Sequence, residues 1–333
     1  MSDLKKEVWT LAEVRDKEIH PVSGELLAWG RELADSMDAP LASVLIGHNI
    51  SSMAKELFPA GADKVYVIDD PSLENFHSDT QVNILEDLVN RFSPSIFIAS
   101  ATTQGRTVMP MLSARIGCGL TADCTELSIE TGSGKLIQTR PAIGGNVMAD
   151  IKTRGRDPQM CTVRPKSKRP LTPDLSRKGE LITISPSANL FASALTYLGF
   201  KPETSIGLPI QEAEIIISGG KGMKNPRNFA KLEELARILG GTVGASRMAV
   251  DLGWAPYSAQ VGLSGKSVTP RVYMAFGISG AVQHIAGMSG AETIIAINHD
   301  PEAPIFRVAD LSIQGDAMEI LDGLIDSLKK RQS

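Results

Sequence analysis

Cysteine is scarce: Cys118, Cys124 and Cys161 are the only three in 333 residues. No two stand at C-x-x-C spacing, which excludes a dithiol redox pair, a zinc ribbon and an iron–sulfur ligand run. An odd, sparse set fits free thiols in a reducing compartment. The five histidines are scattered and form no H-E-x-x-H pair, so no metal site is expected. No apolar run reaches the ~20 residues that span a bilayer, and no transmembrane segment is expected. A basic excess is also missing. The formal net charge is -4, which argues against a general nucleic-acid binder. The opening residues, Met1 to Glu7, lack the apolar core of a secretory signal and the Arg/Ser-rich, acid-poor character of a transit peptide. A cytoplasmic, prokaryotic protein is the expectation, and any electron chemistry must come from a bound organic cofactor.

What is present is ordinary for a globular chain: 42% hydrophobic and 22% charged residues. The length allows two domains of roughly 150 residues each. Apolar runs that read as strands fall at 8–14, 42–47, 64–68 and 96–99, with helical spacing at 21–37, 51–57, 79–91 and 106–116. Such alternation implies a parallel sheet covered by helices on both faces. Between 121 and 163 the pattern changes to short strands (121–129, 135–139, 144–151, 160–163) separated by turn residues, which predicts an antiparallel extension. The segment 164–179 reads as exposed connection. A strand at 180–184 and a helix at 188–198 finish the region, and 201–208 is the expected domain boundary. Alternation then restarts, with strands at 213–218, 244–246, 271–276, 293–298 and 305–308 and helices at 229–239, 279–287 and 317–330. The expectation is a two-domain α/β protein. Residues 1–205 form an N-terminal nucleotide-binding-like parallel-sheet domain with an antiparallel extension; 206–333 form a doubly wound C-terminal domain.

Ligands of open parallel sheets bind beyond the carboxyl ends of the strands. After 213–218 comes Ser218-Gly219-Gly220-Lys221-Gly222, a loop whose backbone N–H groups can crowd round an anion, although such turns are as often empty. Arg247 ends the next strand and can lie over an aromatic ring or pair with a phosphate; a surface salt bridge with Asp251 is the bland alternative. Residues 260–267 nearly spell a triphosphate P-loop, but Gln260 stands where the first glycine should be and 254–259 do not read as a strand. After 271–276, Ser279 has the character of a helix N-cap, with Gly277 and Gly280 at the turn and Gln283 and His284 in the first helical turn. Asn298 closes the next strand, and Asp316 precedes the last helix; either can hold a ligand or cap a turn.

Together these segments are more specific than any alone. The run Val272-Tyr273-Met274-Ala275-Phe276-Gly277-Ile278-Ser279-Gly280-Ala281-Val282-Gln283-His284, continuing through Ile295-Ala296-Ile297-Asn298, closely resembles the signature of electron-transfer flavoprotein alpha subunits. Gly244-Ala245-Ser246-Arg247, Asp300-Pro301-Glu302-Ala303-Pro304, Gly119-Leu120-Thr121-Ala122-Asp123-Cys124 and Arg140-Pro141-Ala142-Ile143-Gly144-Gly145-Asn146 are similar to the same family. The resemblance implies FAD bound along the C-terminal domain, with the N-terminal domain packing on a beta subunit. It further implies that Arg247 lies over the isoalloxazine ring, His284 near its O2 and N1 edge, and Ser264 near N5. Gly265, Lys266, Ser279 and Gln283 would follow the ribityl and phosphate path, and Asn298, Asp316 and Ala317 the adenosine end. Ser246, Val261 and Gly280 complete the implied cofactor-binding set. Reduction places negative charge on the N1–C2=O region, where a cation or N–H donor stabilises it; Arg247 and His284 are the two residues expected to supply that charge. Departures from the family pattern are Leu263-Ser264 where Gln-Thr is frequent, Lys221 where arginine is common, and the bulkier Phe276.

The implied function is electron carriage by a heterodimer, drawing on acyl-CoA dehydrogenases or similar flavoenzymes. An electron-bifurcating alternative would use NADH, ferredoxin and an acyl-CoA, and its deciding residues lie largely in the beta chain. An NAD-dependent dehydrogenase would need G-x-G-x-x-G after an early strand, but the first strand is followed by Arg15-Asp16-Lys17-Glu18.

Overall fold

The computed structural model describes residues 6–142, 147–199 and 209–332. The expected boundary at 201–208 and the start of the strand expected at 144–151 lie outside them. The chain divides into two compact units, Met1–Pro141 with Met148–Gly199, and Ala142–Val147 with Phe200–Ser333.

In the first unit the strands are β1 (Val8–Ala12), the small hairpin β2 (Val14–Arg15) and β3 (Glu18–Ile19), β4 (Leu41–Gly47), β5 (Lys64–Asp69) and β6 (Ile96–Ser100). They continue with β7 (Leu120–Cys124), β8 (Glu126–Ile129), β9 (Leu136–Pro141), β10 (Met148–Lys152), β11 (Gln159–Val163) and β12 (Glu180–Thr183). The helices are α1 (Val22–Ser36), α2 (Ser78–Phe92) and α3 (Thr103–Ile116). A seven-stranded sheet has the order β12-β5-β4-β1-β6-β11-β7, with every pairing parallel. β1 and β6 are buried along their whole length, as strands covered by helices on both faces must be.

Several expectations are corrected. The run at 121–129 is two strands in two sheets. Asp123 takes φ +61 and accepts from Arg164 Nε at 3.2 Å and Nη2 at 2.7 Å, and this held kink turns the chain out of the large sheet. Only β8, β9 and β10 form the antiparallel extension; β7 and β11 belong to the parallel sheet. The helix expected at 188–198 is a single 3-10 turn, Ala188–Phe191: Leu190 and Phe191 pack against the core, but the residues after them are exposed and give a longer helix nothing to bury. The helix at 51–57 is likewise a 3-10 turn, Met53–Leu57.

The second unit holds β13 (Ile215–Gly219), β14 (Thr242–Ala245), β15 (Val272–Phe276), β16 (Thr293–Asn298) and β17 (Leu311–Gln314), with α4 (Phe229–Leu239), α5 (Arg247–Asp251), α6 (Val282–Met288) and α7 (Ala317–Gln332). The sheet order is β14-β13-β15-β16-β17, again all parallel. Phe229, Leu232, Leu235 and Ala236 form the buried stripe of α4, spaced to place them on one helical face. That stripe joins Met274, Phe276 and Leu321 on one side of the sheet, while Tyr273, Ala275, Met288 and Ile305 pack on the other. The strand expected at 305–308 is a 3-10 turn, Pro304–Arg307. Pro304 has no N–H to give a ladder, and Ile305 is instead a buried anchor. The fifth strand is Leu311–Gln314, largely exposed and paired on one edge only.

No described helix is long and apolar enough to cross a membrane.

Candidate functional site

β14 lies on one side of β13 and β15 on the other, so the chain reverses its direction across the sheet at β13. Loops leaving the strands on either side of such a point diverge and open a crevice at their carboxyl ends. A cleft of about 770 Å3 opens there. Lys221 and Gly222 follow β13; Ser246, Arg247 and Asp251 follow β14. Residues 277–281, Gln283 and His284 follow β15, and Asn298, His299 and Asp300 end β16. Val261, Gly262 and Ser264 reach in from the loop before β15.

The turn after β15 works because two positions have no side chain. Gly277 takes φ +61 and Gly280 φ +84, the left-handed region that other residues reach at a cost. A Cβ at Gly277 would stand 2.6 Å from the Cα of Gly222, and one at Gly280 2.4 Å from the Ile305 nitrogen. Gly280 also explains a correction. A left-handed residue cannot sit inside a helix, so α6 begins only at Val282, after Ala281, and Ser279 is not its cap. The serine that does cap is Ser246, whose hydroxyl accepts from the Ala249 amide at 3.4 Å and starts the short α5.

Arg247 is 71% exposed at its side chain and its Nε lies 3.4 Å from Asp251 Oδ2. The surface ion pair and the cleft position therefore coexist. His284 is different in kind. It is buried, its Nε2 lies 3.0 Å from the Tyr273 hydroxyl, and its Nδ1 is enclosed with no well-directed hydrogen bond. Burial pushes its pKa down to about 4, against a smaller upward pull from the Val261 backbone. The ring is neutral at pH 7. In the ligand-free chain Arg247 thus brings a permanent cation and His284 an uncharged ring.

Ser264 Oγ accepts from Gln260 Nε2 at 3.1 Å. Asn298 lines the cleft but spends its amide internally, donating to the Ile278 carbonyl at 2.9 Å and accepting from the Asp300 amide at 3.1 Å. Four expected residues do not line the cleft. Gly265 is packed against the Gln260 backbone, and the Lys266 amide donates to the Gln260 carbonyl at 2.7 Å, so the two close their own loop. Asp316 caps α7 through the Met318 amide at 2.8 Å and pairs with Lys224 at 2.6 Å. Ala317 is buried in the core beneath α7. Sequence reasoning in turn passed over Gly262, Met248 and His299, which line the cleft, and gave no role to Tyr273. The signal for Tyr273 was a phenol in an otherwise apolar strand, whose hydroxyl needs a buried partner.

Residues 8–189 match the electron transfer flavoprotein domain and residues 209–289 the electron transfer flavoprotein FAD-binding domain. The chain is 43% identical to the electron transfer flavoprotein subunit alpha of Thermoanaerobacterium thermosaccharolyticum, over 98% of each chain. It is 43% identical to that of Clostridium acetobutylicum, over 97% of each. It is also 39% identical to the lactate dehydrogenase (NAD(+),ferredoxin) subunit LctC of Acetobacterium woodii, over 94% of this chain and 74% of that one. The residues converging on the cleft lie within or just beyond the C-terminal match, which is to a flavin-binding domain. The chain thus belongs to the electron transfer flavoprotein family, as one of its alpha subunits.

Proposed function

We propose that the cleft binds one FAD and that the chain, paired with a beta subunit, carries electrons between an acyl-CoA dehydrogenase or similar flavoenzyme and a redox partner. The observation that carries this reading is the meeting of Arg247, Ser264, Gln283 and His284 on one cleft, inside the segment that matches the FAD-binding domain. The wall suits such a ligand. The Gly277–Gly280 turn presents bare backbone that a Cβ would block. Lys221 and Arg247 bring positive charge to the wall, Arg247 while pairing with Asp251.

Bound FAD supplies reversible uptake of one or two electrons. Arg247 cannot lose its proton, so it favours whatever negative charge develops beside it at any working pH. Ser264 accepts from Gln260, which leaves its own O–H free to donate to a ligand. His284 lines the cleft with a buried, uncharged ring whose Nε2 lies 3.0 Å from the Tyr273 hydroxyl.

Similarity to LctC favours a second reading, in which the assembled protein bifurcates electrons from NADH to ferredoxin and a second acceptor. Purification with the neighbouring subunit and flavin quantitation tests both. One FAD per heterodimer supports the carrier, and two, with NADH-driven ferredoxin reduction, support bifurcation. Absence of the flavin bands near ~450 and ~375 nm overturns both.

A further inference from the structure

Residues 260–267 nearly spell a triphosphate loop, and Gln260 stands where such a loop needs glycine. The fold gives the glutamine a different use. The amides of Val261, Gly262, Leu263, Gly265 and Lys266 do not gather round an anion. They are spent, in that order, on the carbonyls of Ala245, Lys266, Gln283, Gly262 and Gln260. Of the loop residues on the cleft wall, Val261, Gly262 and Ser264, only the serine has a polar side chain, and it is exposed.

Gln260 is 3% exposed and is pinned through its backbone. Its N–H donates to the Tyr257 carbonyl at 2.9 Å, its carbonyl accepts from the Lys266 amide at 2.7 Å, and it bridges to Ala245 at the end of β14. From that fixed base its side chain reaches Ser264, with Nε2 3.1 Å from Oγ. A second clamp comes from the Tyr257 hydroxyl, which donates to the Ser264 carbonyl at 2.9 Å. An exposed serine would otherwise pass among its staggered rotamers; this one is held at both hydroxyl and carbonyl. The direction of the bond decides what is left over. A serine oxygen has two lone pairs and one proton, and an amide nitrogen can only donate. Gln260 therefore fills a lone pair, and no group among the described residues accepts the Ser264 proton.

We propose that Gln260 is a positioning residue for Ser264: its buried carboxamide donates to Oγ and keeps the hydroxyl proton for an acceptor atom, a ring nitrogen or carbonyl oxygen, of a flavin in the cleft. The ligand half of this rests on the flavin reading of the cleft; the bond between Gln260 and Ser264 does not. The consequence is that a side chain sealed beneath the loop, reaching the ligand only through Ser264, makes that serine a donor rather than an acceptor.

The test uses the protein with its beta subunit, glutamine side chains labelled with 15N, flavin removed and then restored. In the flavin-free wild type a Gln260 amide proton is expected to be protected from exchange with water, and Ser264→Ala should shift its resonance. With flavin restored, Ser264→Ala should weaken retention roughly two- to tenfold, the reach of one hydrogen bond. Gln260→Met, which keeps the length of the side chain and removes the amide, should weaken it within the same range. The double variant should lose no more than Ser264→Ala alone, because the two residues act through one hydroxyl. A Gln260 amide proton that ignores Ser264→Ala overturns the proposal, and this reading needs no buried variant to fold. Losses that add in the double variant overturn it as well, since a general loosening of the loop would act with or without the hydroxyl. A wild type that takes up no flavin sinks the assignment of the cleft, while the amide spectrum still decides what Gln260 does.

Discussion

Removing the His284 imidazole should flatten the acid limb of this protein's stability, and the size of the effect follows from its burial. In the folded chain burial lowers the ring's pKa from 6.5 to about 4. The unfolded chain takes a proton near 6.5, whereas the folded chain resists until about pH 4. Between those values the unfolded state binds more protons, so stability falls as pH falls. The contribution is complete above pH 6.5 and lost on the way down to about pH 4. A depression of this size is worth about 3 kcal/mol at 1.36 kcal/mol per pH unit. His284→Gln retains a polar group for Tyr273 but has nothing to titrate. Urea unfolding of the flavin-free protein, followed through Trp254 in the second unit, should show the wild type losing about 3 kcal/mol relative to the variant between pH 7 and pH 4. Binding of an anion beside the ring should move the midpoint upward, because a neighbouring negative charge favours the protonated form. Parallel pH dependences for wild type and variant, or an imidazole that titrates near 6.5 by NMR, would refute the reasoning.

Three further outcomes are expected. Arg247→Ala should lower the flavin potential and reduce flavin content while leaving the unfolding midpoint within about 0.5 kcal/mol of wild type, since its pairing with Asp251 is exposed and such pairs contribute little; unchanged redox titration and flavin content would count against its placement. Gly280→Ala forces a side chain into a left-handed position 2.4 Å from the Ile305 nitrogen and should destabilise the second unit by more than about 2 kcal/mol, read as early unfolding with loss of flavin; a variant of native stability would show that the turn is looser than described. Glu13, buried at the end of β1 and accepting from Thr102 at 2.6 Å, has its pKa raised by burial to about 7, so its contribution is present below about pH 4.5 and lost as pH rises through 7. Glu13→Gln should therefore gain up to about 3 kcal/mol over wild type at pH 8, and no gain in denaturant unfolding at that pH would show the carboxylate is better solvated than its surroundings suggest.

Much of the architecture was legible because burial leaves periodic traces. Strands covered on both faces, such as Ile96–Ser100 and Val272–Phe276, read as unbroken apolar runs. The stripe of Phe229–Leu239 read as a helix with the bounds it has. Where a segment buries little, no trace exists. Leu311–Gln314 is an exposed edge strand, and it became visible only when its hydrogen bonds to β16 were seen. The reverse error, a helix at 188–198, came from propensity without a partner surface.

From its residues alone the chain declared a two-domain α/β protein and the segments that gather at the ends of its last sheet, because turn glycines and strand-end polar residues are local features. Which of those residues face the cleft was settled by the tertiary fold. Gly265, Lys266, Asp316 and Ala317 lie in neighbouring segments but not on the cleft wall: the backbone of the first two closes on Gln260, Asp316 caps α7 and Ala317 is in the core. The protonation of His284 was equally out of reach, since it depends on burial by the surrounding fold and on the Val261 backbone from the loop before β15. Electrostatics is set by everything within a few ångströms in space, and neighbourhood in space is what a linear order of residues does not contain.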